Sequence, residues 1–333
     1  MRQTRRKKTG SPGKVFLVAL LAATLWIINL LWYKPFSLEL FYERMFLQFC
    51  LQQPEIFTST GIYHALDFTG QQGKLNDLSA EKQVKQMELV TRNFEMLRSY
   101  RRSQQTPEQL LHTETFDYYL EKQIFRQQFW HYQHRLNPLS GPQATVVIFM
   151  LHHHQVNSLK DAEFYLDRLA ATGQRNQQLA ELLQVTEING TLPPRMVLEQ
   201  TLAQLQEMAV APATASIFYA DFAEKLRNCT ALTPEAQKEL LFEAKIEIED
   251  NLVPSCQLLQ RRLEEVLPAA PATASLQNLP DGEAWFYFLL EDALTTEVNR
   301  QVLQDAAEKL QEHIAEQMRQ TAAEEGCPDN STA

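Results

Sequence analysis

The hydrophobic pattern of this chain has two regimes. From Val15 to Trp32 it is unbroken: VFLVALLAATLWIINLLW carries no charge, and only Thr24 and Asn29 are polar. From Leu38 onward it is periodic, with apolar residues recurring three and four apart, the spacing of one helical face. The pattern predicts one membrane-length helix followed by a body of amphipathic helices.

At about 1.5 Å rise per residue the first stretch covers about 27 Å, close to a hydrocarbon core of about 30 Å. The tail before it, residues 1–14, holds Arg2, Arg5, Arg6, Lys7, Lys8 and Lys14 and no acid. Basic flanks stay in the cytoplasm. The expected order is therefore a cytoplasmic tail at 1–14, a transmembrane signal-anchor at 15–33 in contact with the lipid bilayer, and an exported body. A cleaved signal peptide and a buried soluble helix are the alternatives. No small-x-small cleavage site follows the run, and Trp26, Trp32 and Tyr33 suit an interfacial aromatic belt.

In the body, Leu38–Leu51 reads as a helix that Pro54 ends or kinks. Phe57–Lys74, with Gly61, Gly70 and Gly73, reads as a loop with short turns. Ser79 caps a helix to about Arg102, and Thr106-Pro107-Glu108-Gln109 starts another with a capping box. That helix is rich in aromatics toward Trp130, which predicts heavy burial. Ala144–Leu151 is the one run that resembles a strand; with nothing to pair with, helix or buried loop is favoured. Ser158 caps the next helix, with a possible break at Gly173. A helix from Met196 to Met208 follows, then the one expected to be longest, from Thr233 to Leu267 with a kink at Pro254. Glu283–Leu294 is apolar nearly all round and reads as a core helix. Val298–Ala323 is a last amphipathic helix, and 324–333 reads as a disordered tail. The fold class is all-α: a membrane-anchored helical bundle or array over 38–323 with one buried aromatic helix.

Composition adds a polarity. The net charge of −10 conceals a body in which 25 basic residues face 41 acidic ones. Such a surface excludes nucleic acid as a partner. Cys50, Cys229, Cys256 and Cys327 have no metal spacing; a Cys229–Cys256 bridge and buried free thiols are both open.

Candidate chemistry is sparse. His152, His153 and His154 are weak metal candidates, because three consecutive side chains cannot converge on one ion. The chain has no HExxH, no Gly-x-Ser-x-Gly, no Cys-x-x-Cys and no phosphate-binding glycine loop. No catalytic residue and no cofactor are expected. Asp161, Arg168 and Arg195 adjoin tightly apolar segments. A buried guanidinium needs partners, so these three read as structural ion-pair residues or as part of a ligand-facing cleft.

Six stretches carry a family resemblance: PEIFTSTGI at 54–62, KLNDLS at 74–79, RLNPLSG at 135–141, DAEFYLDRLA at 161–170, GTLPPRMV at 190–197 and LPDGEAWFYFLLEDALTTE at 279–297. Together they resemble the amino-terminal half of the bacterial proteins grouped as DUF885. The resemblance implies a mainly α-helical fold and export. It also implies kinship with zinc peptidases of the HExxH type, whose metal-binding segment would lie beyond the last stretch. The expected function is a non-catalytic binding or scaffolding relative in the bacterial inner membrane, its body periplasmic, with a protein partner or self-association over apolar seams. The alternative is the non-catalytic half of a split zinc peptidase completed by a separately encoded partner.

Overall fold

The computed structural model describes residues 16, 29, 33–61, 69–209, 212–273, 275–276, 279, 281–296 and 299–324. Most of the 15–33 stretch and all of 325–333 therefore lie outside the described residues. The order is α1 Leu38–Gln52, α2 Pro54–Ser59, α3 Ala80–Arg98, α4 Pro107–Arg126, α5 Pro142–Ile148, α6 Leu159–Ile188, α7 Arg195–Met208, α8 Ile217–Asn228, α9 Pro234–Glu247, α10 Val253–Val266, α11 Gly282–Leu294 and α12 Arg300–Glu324. No strand occurs among the described residues, so the all-α expectation holds. Ala144–Leu151 is helical, passing from α5 into one π-turn at Phe149–His153.

Local chemistry sets the helix starts. Ser79 Oγ accepts from Lys82 N. Thr106 and Gln109 close the reciprocal capping box. At α6 the arrangement is doubled: Ser158 Oγ accepts from Asp161 N, while the Asp161 carboxylate accepts from Ser158 Oγ and Asn157 N. Each such cap is worth about 1 kcal/mol. Pro254 has no N–H and would crowd the carbonyl four residues back. The backbone answers with a π-turn at Ile248–Leu252, where Val253 N bonds Ile248 O, and α10 continues from α9.

The chain divides into two compact units, 1–273 and 274–333. In the first, α6 is the central element: it packs along α10 and against α9, and α7 packs on α10. Leu169, Leu179, Leu183, Leu198, Phe218, Phe222, Leu259 and Leu263 form its apolar core. Each fully buried side chain of this size contributes about 1.5–3 kcal/mol. A second, smaller core joins α1, α3 and α4 through Leu38, Phe41, Leu97 and Leu120.

Three expectations need correction. Residues 57–59, expected in a loop, are helical, and α6 runs thirty residues without the break at Gly173, while the longest continuous helical run is the expected one, from Pro234 through the π-turn to Val266. Of the two readings open for Cys229 and Cys256, the buried free thiols hold. Among the described residues no helix is long and apolar enough to cross a membrane, so the expected single-pass inner-membrane placement finds no support in the fold.

In the second unit α11 buries Trp285 and Phe288, stacked at 5.4 Å, but leaves Phe286, Leu289 and Leu294 exposed. It is one-sided rather than apolar all round. Gly282 opens α11 where space allows nothing larger: an added Cβ would lie 1.7 Å from Leu276 O. G282A is expected to destabilise this unit by about 1–3 kcal/mol, read as an earlier thermal transition in the tryptophan signal.

Candidate functional site

The sequence-derived residues do not gather at one place. His152 and His153 are exposed, whereas His154 is buried. His154 Nε2 donates to Asp161 O at 3.0 Å, and its Nδ1 accepts from Arg168 Nη1. Both ring nitrogens are thus engaged, which fixes a neutral tautomer. Burial first, and then the Arg168 charge, pushes the His154 pKa down to about 3. Among the described residues no group of three His, Cys, Asp or Glu side chains is placed to hold a metal. The zinc that the family resemblance implies therefore finds no fitting donor set there. Arg195 is exposed at the start of α7, where its N–H donates to Pro271 O. The Asp161 carboxylate is engaged at the start of α6.

Arg168 is the structural residue of the three. It is 1% exposed and its guanidinium lies 4.7 Å from the Phe149 ring centroid. It bonds Lys74 O and Thr58 Oγ1 as well as His154. Two turns further along α6, Arg175 pairs with the buried Glu55 and donates to Pro142 O. Glu55 Oε1 also accepts from Asn76 N at 2.8 Å, and Asn76 Oδ1 accepts from Glu55 N. Gln178 accepts from Leu78 N and donates to Asp77. One face of α6 thus holds Glu55 and Thr58 of α2 and residues 74–78. Three of the stretches that carry the family resemblance, at 54–62, 74–79 and 161–170, meet in this polar network. Next to it Tyr165 and Lys225 both donate to Asp221, and Lys225 also donates to Met150 O. These buried groups answer one another and leave no free nucleophile.

A different place offers open space. Between α1, α3 and α4 lies a partly open groove of about 470 Å³. Its lining was not singled out from sequence. Tyr42 and Phe116 stack at 5.1 Å beside one end. Met45, Phe46 and Phe49 supply apolar surface along α1, and Tyr119 faces them from α4. Eight of the twenty lining residues are carboxamides, among them Gln52, Gln86 and Gln123. Arg126 and Arg135 also line it, and no acid, His, Ser or Cys does. Gln52 Oε1 is buried without a hydrogen-bond partner. Burial holds the Arg135 guanidinium below its ordinary pKa.

Fold and geometry together define an all-α protein built on one long helix, which arginines brace from inside, with an amide-lined groove between α1, α3 and α4. The chain belongs to the DUF885 family, described as bacterial proteins of unknown function, whose pattern matches residues 54–332. Its fold is similar to the crystal structure described as "the putative lipoprotein from Colwellia psychrerythraea", with a TM-score of 0.66 and 14% identity. The likeness covers 78% of this chain and 47% of that one, so the chain spans about half the length of this solved relative. At that identity the likeness concerns fold alone. No curated protein matches the chain. With no spanning helix among the described residues and a solved neighbour described as a lipoprotein, the single-pass inner-membrane placement expected from sequence is corrected and carried no further.

Proposed function

We propose that this chain is a non-catalytic binding domain of its family, which holds a short extended polypeptide segment in the groove between α1, α3 and α4. One observation carries this: the groove is lined by carboxamides, aromatic rings and methionines, and contains no nucleophile or carboxylate. An extended peptide presents an unpaired N–H and C=O at each residue. A carboxamide can satisfy either, because it both donates and accepts. Aromatic and thioether surfaces take up apolar side chains without demanding one shape. A volume of about 470 Å³ lies within the usual range for ligand pockets, about 300–1,000 Å³.

Calorimetric titration of the protein with a panel of N-acetylated tetrapeptides tests this. Saturable binding is expected for members with aromatic or aliphatic side chains. Y119A and Q86A should each weaken it about 5- to 30-fold, the loss of one ring or one hydrogen-bonding pair. Absence of saturable peptide binding, or preference for neutral oligosaccharides over every peptide, overturns the proposal.

A second function, a hydrolase assembled with a separately encoded zinc-bearing half, is favoured by α12. Leu310, Ile314 and Met318 lie along that helix and are exposed, an apolar row that a partner could cover. Co-purification with an HExxH protein, together with peptidase activity of the pair, would establish it.

A further inference from the structure

We propose that the occupant of the groove enters with its chain terminus, and that Arg135 reads the terminal α-carboxylate. The inference rests on the polypeptide-binding function above and adds the ligand's end group and its orientation.

The groove has a direction. α1 and α3 run antiparallel along it: Arg44 contacts Met96, Asn93 donates to Gln48, and Gln52 lines it together with Gln86. α4 runs parallel to α1, since Gln109 bonds Glu39 while Tyr42 meets Thr113 and Phe116, and is therefore antiparallel to α3. Its last residue, Arg126, therefore lies toward the Gln52 end. Tyr42 and Phe116 mark the opposite end. From Tyr42 to Gln52 the groove follows α1 for about 15 Å at helical rise, room for about four extended residues. One end is aromatic; the other carries amides and guanidinium.

Arg135 is the unusual member. Elsewhere in this fold the buried arginines are answered: Arg175 by Glu55, and Arg168 by Thr58, His154 and Lys74 O. Arg135 is half-buried in a lining without acids, no hydrogen-bond or ion-pair partner of it is found among the described residues, and none of its guanidinium nitrogens is closed off from solvent. Its donors are open to a ligand, and a carboxylate can meet a guanidinium through two parallel N–H···O bonds. The acidic body makes the contrast sharper, since the chain carries 41 acids and places none in this lining. A carboxylate at a peptide terminus suits this position better than a side-chain carboxylate. It needs no continuation of the peptide past Gln133 and Arg135, which line the groove.

The experiment uses the whole chain and three acetylated tetrapeptides of sequence Phe-Ala-Leu-Ala: the free acid, its carboxamide, and a carboxamide with Glu in place of the third residue. Binding is followed by calorimetry. The free acid is expected to bind at least tenfold more tightly than either amide. R135Q should remove that preference while leaving binding of the neutral amide within about twofold. Its thermal transition, compared with wild type, shows whether the variant is folded; the comparison of the three peptides on the wild-type protein does not depend on it. Equal binding of free acid and neutral amide to wild type overturns the carboxylate assignment and leaves the groove's peptide function standing. Equal binding of the Glu-bearing amide and the free acid overturns the terminal assignment. Failure of all three to bind counts against the peptide function itself.

Discussion

E55A is expected to destabilise the first unit by about 3–5 kcal/mol, the usual cost of breaking a buried pair from one side. The Arg175 side chain is 4% exposed and that of Glu55 11%, so the guanidinium left behind cannot recover its hydration. The loss does not stop at the pair. Glu55 also accepts from Asn76 N, and that amide would lose its acceptor. Replacing both partners by apolar residues of similar size should cost far less, because no charge is then stranded. E55L/R175M is therefore expected to regain at least half of the single-variant loss. Urea unfolding read by circular dichroism gives both numbers. An E55A midpoint shift equivalent to less than about 1 kcal/mol would mean that water reaches Arg175 and that α6 does not brace α2.

Why this pair escaped the sequence follows from its geometry. Glu55 and Arg175 are 120 positions apart, and Arg168 reaches Thr58 across 110. Helical periodicity reports on neighbours three and four residues away, and a salt bridge of that span leaves no trace in it. What was legible was Arg168, two turns before Arg175: an arginine in the middle of an apolar helical face. The caps were legible for the opposite reason, since Ser79, Thr106 and Ser158 act on amides within the next few residues. Gly173 misled because a glycine costs about 1 kcal/mol in a helix, and the burial along α6 outweighs that many times over. The short α2 was missed because six residues are too few to show a period. The aromatic run of α4 was read as heavily buried, yet Tyr118, Tyr119 and Phe125 are exposed. An amphipathic stripe specifies a face that avoids water, and a core and an open groove both satisfy that. The groove's amides are spread over three helices and look from sequence like solvated surface.

Acidification should act through His154. The residue is 3% exposed and its pKa is pushed down to about 3, against 6.5 for a free imidazole. The groups facing it explain the direction. Arg168 bonds its Nδ1, Lys225 adds a second positive charge, and the Tyr165 ring at 5.1 Å excludes water. The Asp161 carbonyl alone favours the protonated form. The folded state thus refuses a proton that the unfolded chain accepts below pH 6.5. Stability is then complete above about pH 6.5 and falls as the pH drops toward 3. A gap of about 2.5 units remains at pH 4, which corresponds to about 3 kcal/mol. Asp77 and Asp117 have lowered pKa values, so their contribution is lost only below the ordinary carboxylate range near 3.8, outside the window from 6.5 to 4.5. His134, also lowered by burial, adds a slope of the same sign inside that window, and H154Q separates the two. A glutamine there keeps a donor for Asp161 O and an acceptor for Arg168 but cannot take up a proton. Urea midpoints measured from pH 7 to 4.5 should fall steeply for wild type and with a clearly smaller slope for H154Q. Identical slopes would place the acid-sensitive group elsewhere and would mean that His154 reaches solvent before the fold opens.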